Sequence, residues 1–186
     1  MSVAVGFRAK TGRAIAVILA APARFIWRGE VSLLDASMSR DTGPYHLVME
    51  LPWSESEIAV QKYVKPIQAV ATRMLASLMK QYAIGAVAVV GSPDRNLAKI
   101  GNEHIRAHAA EGVLFRAVVE TAAKLNDCPS RAFADPAAEL RQPSRQVKKV
   151  LEQFGKAAGP PWRADEKAAA IAAWVALAIP SRPSKR

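Results

Sequence analysis

The segment "VAVGFRAKTGRAIAVIL", Val3 to Leu19, decides the fold. Small and β-branched residues run up to Lys10-Thr11-Gly12 and resume directly after it. That pattern predicts two strands joined by a tight turn. Outward from it, "ARFIWRGEVSLLD" predicts a third strand. There Phe25 and Trp27 alternate with Arg24, Ile26 and Arg28 before Val31, Leu33 and Leu34 resume the apolar run.

Beyond this hairpin unit the periodicity changes. Ser37 to Gly43 is loop by composition, and "YHLVMELPW", Tyr45 to Trp53, reads as a short strand or an extended lead-in. Ser54-Glu55-Ser56-Glu57 is a capping-box pattern with Ser54 as N-cap. A helical stretch follows to about Tyr82, which Pro66 is expected to kink or split. Its inward stripe is Ile67, Val70, Ala71, Met74, Leu75, Leu78 and Met79. "IGAVAVVGS" is continuously apolar, as a strand covered on both faces requires. A second long helix spans about Asn102 to Asn126, with Ala107, Ala110, Leu114, Val118, Thr121 and Leu125 expected on one face. Gly112 inside it costs about 1 kcal/mol against Ala.

Pro129 to Ala134 suits a short strand, and Ser144 is placed to cap a basic helix from Arg145 to Phe154. "GKAAGPPW" reads as a hinge or linker. The last helix runs from about Ala164 to Ala178, stopped by Pro180. No internal repeat is visible. The order of elements predicts an α/β fold: a three-stranded antiparallel unit, then helix-strand units, giving a mixed sheet with flanking helices. Residues 1–180 are expected to form one domain, and 181–186 a basic flexible tail.

Composition bounds the function. A chain of 186 residues, 51% hydrophobic, has a core to bury, roughly two thirds of its unfolded surface. The net charge of +10 directs attention to anionic partners: nucleic acid, an anionic membrane or an acidic protein. A single cysteine, Cys128, forms no intrachain disulfide, which fits a reducing, cytoplasmic setting. Arg8, Lys10 and Arg13 ahead of an apolar run imitate a secretory signal, but the apolar residues before Arg8 do not suit one. "AAAIAAWVALAIP" falls short of the ~20 apolar residues of a membrane span.

The second half of the chain resembles the RuvC-type Holliday-junction resolvases of the ribonuclease H-like superfamily. The resemblance lies in the strand, loop and long helix of "VAVVGSPDRNLAKIGNEHIRAHAAEGVLFRAVVETAAKLN", then "SRAFA", "SRQVKKVLEQFG" and "RADEKAAAIAAWVAL". It implies a ribonuclease H-like fold. It also implies two divalent metals, Mg or Mn, held by carboxylates from the first strand, the end of the central strand and the last helix. Two such ions carry four positive charges and need clustered oxygen anions. Here the first strand reads Gly6-Phe7-Arg8, a cation in the carboxylate's place. The central strand ends Val90-Gly91-Ser92, with Asp94 a few residues on. In the last helix Asp165 matches the first of two aspartates, while Ala168 replaces the second. Glu166 is turned about 100° from Asp165. Its first-turn position suits the helix dipole, as does that of Asp165.

The resemblance and the charge together suggest a non-catalytic domain that binds nucleic acid, with no cofactor, alone or as an oligomer or nucleoprotein subunit. Its basic face would comprise Arg8, Lys10, Arg13, Arg141, Arg145, Lys148, Lys149 and Arg163. Lys156 lies in the same stretch, whose sole acid is Glu152, and Arg182, Lys185 and Arg186 extend it. Trp27, Trp53 and Trp162 could stack on bases or pack in the core. One alternative is a metal-dependent nuclease built on Asp165 and Asp94 with Glu50 or Asp35. Another is an interaction module for an acidic protein. His104 and His108, four apart in "HIRAH", could face one zinc ion with Glu111, or be ordinary helix-flank histidines. The metalloprotease pattern would need Glu where Ile105 stands. Cys128 has no partner motif and reads as an inert thiol, and no Gly-rich phosphate loop is present.

Overall fold

The computed structural model describes residues 2–35, 38, 43–91 and 96–179. Strands β1 (Val3–Lys10) and β2 (Arg13–Ala20) form the expected hairpin, in register from Val3↔Ala20 to Lys10↔Arg13. Gly12 takes the left-handed φ of 72° that its turn needs. Strand β3 (Arg24–Ser32) lies antiparallel to β2, with a register shift at Ile18/Leu19. Strands β4 (Ala86–Val90) and β5 (Ser130–Phe133) then add in parallel, β4 beside β1. The sheet order is β3-β2-β1-β4-β5. This is the mixed sheet that the order of elements predicts.

Side-chain alternation sorts the helices onto two faces. Val5, Phe7 and Ala9 of β1, with Val87 and Val89 of β4, are buried in one cluster with α2 (Gln61–Tyr82) and α3 (Glu103–Leu125). Ala4, Ala86, Ala88 and Val90 face the other way, onto α5 (Ala164–Ala176). Val17 and Leu19 also meet α5, together with Phe154 of α4 (Ser144–Ala158). The run of alanines in α5 lets the helix lie close on the sheet. At Gly6 the approach is so close that a Cβ would overlap backbone atoms of Ala169 and Ala173. Glycine at position 6 is therefore dictated by packing, not by turn geometry.

Several local expectations are corrected. Tyr45–Trp53 is not a strand; it holds a 3-10 turn at His46–Val48. The backbone N–H groups of Tyr45 and His46 donate to the Glu111 carboxylate at 3.1 and 3.3 Å, which removes them from any ladder. Helix α1 (Trp53–Ala59) begins directly after Pro52, two residues too early for Ser54 to cap it. Ser56 donates instead to the carbonyls of Val48 and Leu51. The long helix does divide, but at the buried Val60, and Pro66 sits inside a continuous α2. In α2 Ile67, Ala71, Leu75 and Leu78 are buried, as their spacing predicts.

In α3 the buried face overlaps the expected one but is broader and turned partly away from it. Ala107, Ala110 and Val118 are buried with Phe115, Val119 and Ala122, whereas Thr121 is exposed and Leu125 is 61% exposed. Small residues allow α3 to approach β1, and the leucines are left at the rim. Ser144 is the first residue of α4 and makes no capping hydrogen bond. The expected hinge is helical through Ala158. Beyond it the chain is tied to β3 by Arg28, whose Nη2 donates to Pro160 O at 2.7 Å. The tail residues 181–186 lie outside the described residues. Among the described residues no helix is long and apolar enough to cross a membrane.

Candidate nucleic-acid interface

The parallel pairing of β1 with β4 sets Arg8 opposite Val90, immediately before Gly91. Helix α5 starts over the same end of the sheet. Arg8, Gly91 and Asp165 therefore converge. Arg8 Nε lies 3.5 Å from Asp165 Oδ1, and Lys10 Nζ lies 3.0 Å from Oδ2. All three side chains are about one third exposed: 32%, 39% and 35% for Arg8, Lys10 and Asp165.

This arrangement does not fit a divalent-metal pair. Two cations already engage the one carboxylate described here, so the described residues do not supply the clustered oxygen anions that such a pair needs. Glu166 supplies nothing to the seat. It is buried, and its side chain accepts from the Arg163 backbone N–H at 2.9 Å, closing the first turn of α5. Glu50 follows the 3-10 turn that packs on α3, on the other side of the sheet from α5. Asp35 follows the segment after β3. Asp94 lies outside the described residues. Among the described residues no group of three or more potential metal donors includes Asp165.

The remaining basic candidates are solvent-facing. Arg13 is exposed and pairs with Glu30 at 3.5 Å. Arg141 precedes α4 with φ 47°, and Arg145, Lys148 and Lys149 are exposed on α4. Arg163 is exposed at the start of α5. Helices α4 and α5 lie on the same face of the sheet, the face that Arg8 and Lys10 share through Asp165. The tryptophans are engaged in packing: Trp27 with Tyr82 at 5.8 Å, Trp53 stacked on Tyr45 at 5.7 Å, and Trp162 edge-on to Phe25 at 6.3 Å. Burial pushes the Cys128 thiol up to about 11, so it is protonated and unreactive at neutral pH.

A second constellation lies on the opposite layer. His46, His104 and His108 bring one ring nitrogen each to within 4.8 Å of one another. Among the described residues this is the one gathering of three or more potential metal donors. The His104 and His108 Nε2 atoms are 3.1 Å apart. His46 Nδ1 lies 3.0 Å from Oε1 of Glu111, which is fully buried. Desolvation first, then the neighbouring His46 and His104, hold His108 below the usual imidazole pKa, with Glu111 opposing. The sequence spacing exposes the His104/His108 pair but gives no sign of His46, which arrives from 58 residues upstream of His104.

The fold is RuvC-like. It is shared with a Thermus thermophilus RuvC in complex with a Holliday junction substrate, with a TM-score of 0.56 at 14% identity over 94% of this chain and 92% of that one. It is shared equally with the Thermus thermophilus RuvC structure, with a TM-score of 0.54 at 12% identity over 93% and 92%. No protein-family model matches the chain, and no curated protein does.

Proposed function

We propose that this chain is a nucleic-acid-binding domain on a RuvC-like scaffold that works without two-metal cleavage at the β1–β4–α5 site. The observation that carries the reading is the engagement of Asp165 by both Arg8 and Lys10. Two cations around one anion leave a net positive centre suited to a phosphate. The exposed Arg141, Arg145, Lys148, Lys149 and Arg163 on the α4–α5 layer support it. So does the junction DNA bound by the structurally similar Thermus protein. No cofactor is required for this role.

The test is a mobility-shift titration with four-way junction, duplex and single-stranded probes, run beside a cleavage assay in Mg²⁺ and in Mn²⁺. Salt-sensitive binding without cleavage is expected, because phosphate contacts release counterions. Metal-dependent cleavage that Asp165→Ala abolishes would establish the nuclease alternative instead. Absence of binding to every probe would leave an acidic protein as the partner.

A further inference from the structure

We infer that His46, His104 and His108 form a zinc-class metal site, with Glu111 as the carboxylate that orients His46. Three features point to a metal and not merely to three rings packed edge-on.

The first is the tautomer. His46 Nδ1 is 3.0 Å from a carboxylate oxygen, so that nitrogen carries the proton and donates it. In the neutral ring Nε2 then presents a lone pair, and Nε2 is buried with no hydrogen-bond partner. A buried acceptor left without a partner keeps its full desolvation penalty. A cation at the centre of the cluster removes that cost. The bond between the His104 and His108 rings does not, since it satisfies only those two.

The second is geometry. Zinc–nitrogen bonds of about 2.0–2.1 Å at the tetrahedral angle place ligand nitrogens about 3.3 Å apart. The His104 and His108 Nε2 atoms stand at 3.1 Å. One ring nitrogen of His46 lies within 4.8 Å of one on each of the other two, and His104 and His108 are exposed and able to turn towards it. The i, i+4 spacing on α3 puts the pair on one helix flank.

The third is the support behind the ligands. Metal-bound histidines commonly donate their other N–H to a carboxylate, which fixes ring orientation and raises ligand basicity. Glu111 Oε1 takes this part, and the backbone N–H groups of Tyr45 and His46 hold it in place. Gly43 passes so close that a Cβ there would overlap the carboxylate. A fully buried carboxylate held this firmly is a costly feature for a mere helix flank.

All-imidazole ligation selects zinc and its neighbours over magnesium or calcium, which require oxygen. Three protein ligands leave the fourth position open. The three histidines line a cleft of about 690 Å³ together with Gly12, Arg13, Glu30 and Ser32. The site is thus of the exchangeable type and not a closed structural one.

The full chain, stripped with chelator, is titrated with Zn²⁺ by calorimetry and with Co²⁺ by visible absorption. One tightly held ion per chain and the intense bands of tetrahedral cobalt are expected. Glu111→Gln should weaken zinc binding ~10–100-fold, the usual effect of losing an outer-shell partner. His104→Ala and His108→Ala should each weaken it at least as much and abolish the cobalt bands. Both residues are exposed, so these variants should keep the wild-type circular dichroism even if Glu111→Gln does not fold. No retained metal, or zinc affinity unchanged in His104→Ala and His108→Ala, would overturn the assignment.

Discussion

Replacing Asp165 with Asn separates binding from cleavage more sharply than any other single change. In a metal-dependent nuclease Asp165 would be a ligand, and Asp165→Asn would abolish activity. Here it should strengthen nucleic-acid binding. The substitution removes the anion that engages Arg8 at 3.5 Å and Lys10 at 3.0 Å, and raises the net charge by one. One additional phosphate contact steepens the plot of log K against log salt by about 0.9 for duplex DNA. Taken from a 1 M reference, that amounts to about fourfold tighter binding at 200 mM salt and ~15-fold at 50 mM. The cost in stability is small. Ion pairs this exposed contribute about 0–1 kcal/mol each, and the first-turn carboxylate adds about 0.3–1 kcal/mol through the helix dipole. Fluorescence anisotropy with a labelled probe, repeated across a salt series, reads both affinity and slope. Weaker binding, or a slope parallel to wild type with the fold intact, would mean that these two cations do not serve a phosphate.

Packing makes two further predictions. Gly6→Ala should destabilise the protein by roughly 1–3 kcal/mol or more, because the new Cβ meets α5 backbone and not a flexible side chain. A thermal melt should show a lower Tm by ~2–4 °C per kcal/mol, and an unchanged Tm would mean α5 does not sit this close to β1. Phe115→Ala should cost about 3–5 kcal/mol in chemical denaturation, since Phe115 is fully buried between α3 and the sheet. Leu125→Ala, 61% exposed, should stay within about 0.5 kcal/mol of wild type, and the reverse ranking would put the buried face of α3 where the leucines are.

The sheet was legible because its signals are local. The Lys10–Gly12 turn and the continuous apolar β4 each announce an element within a few residues. The errors fall where a distant partner overrides a local pattern. The Ser54 box is a sound N-terminus signal, yet Pro52 starts the helix first and Ser56 is recruited by two loop carbonyls. In α3 hydrophobicity alone favours the leucines. Close approach to β1 instead selects the alanine-rich flank, and only the position of the sheet decides between them. The 3-10 turn at His46 depends on a carboxylate 65 residues away.

The two candidate sites differ in legibility for the same reason. Arg8 can be read from one strand as standing where the resemblance implies a carboxylate. The pairing with Asp165 follows once β1 and α5 share an end of the sheet. Lys10 adds what the strand alone does not show. At two residues from Arg8 it lies on the same face, and it makes the closer contact, so the centre carries two cations and one anion. A single substitution at Arg8 therefore does not restore a metal seat. Arg8→Asp would leave Lys10 against Asp165 and add only the second of the several carboxylates that two divalent ions need. It should not produce cleavage in Mg²⁺ or Mn²⁺, whereas it should weaken nucleic-acid binding by removing one phosphate partner and adding a repelling charge.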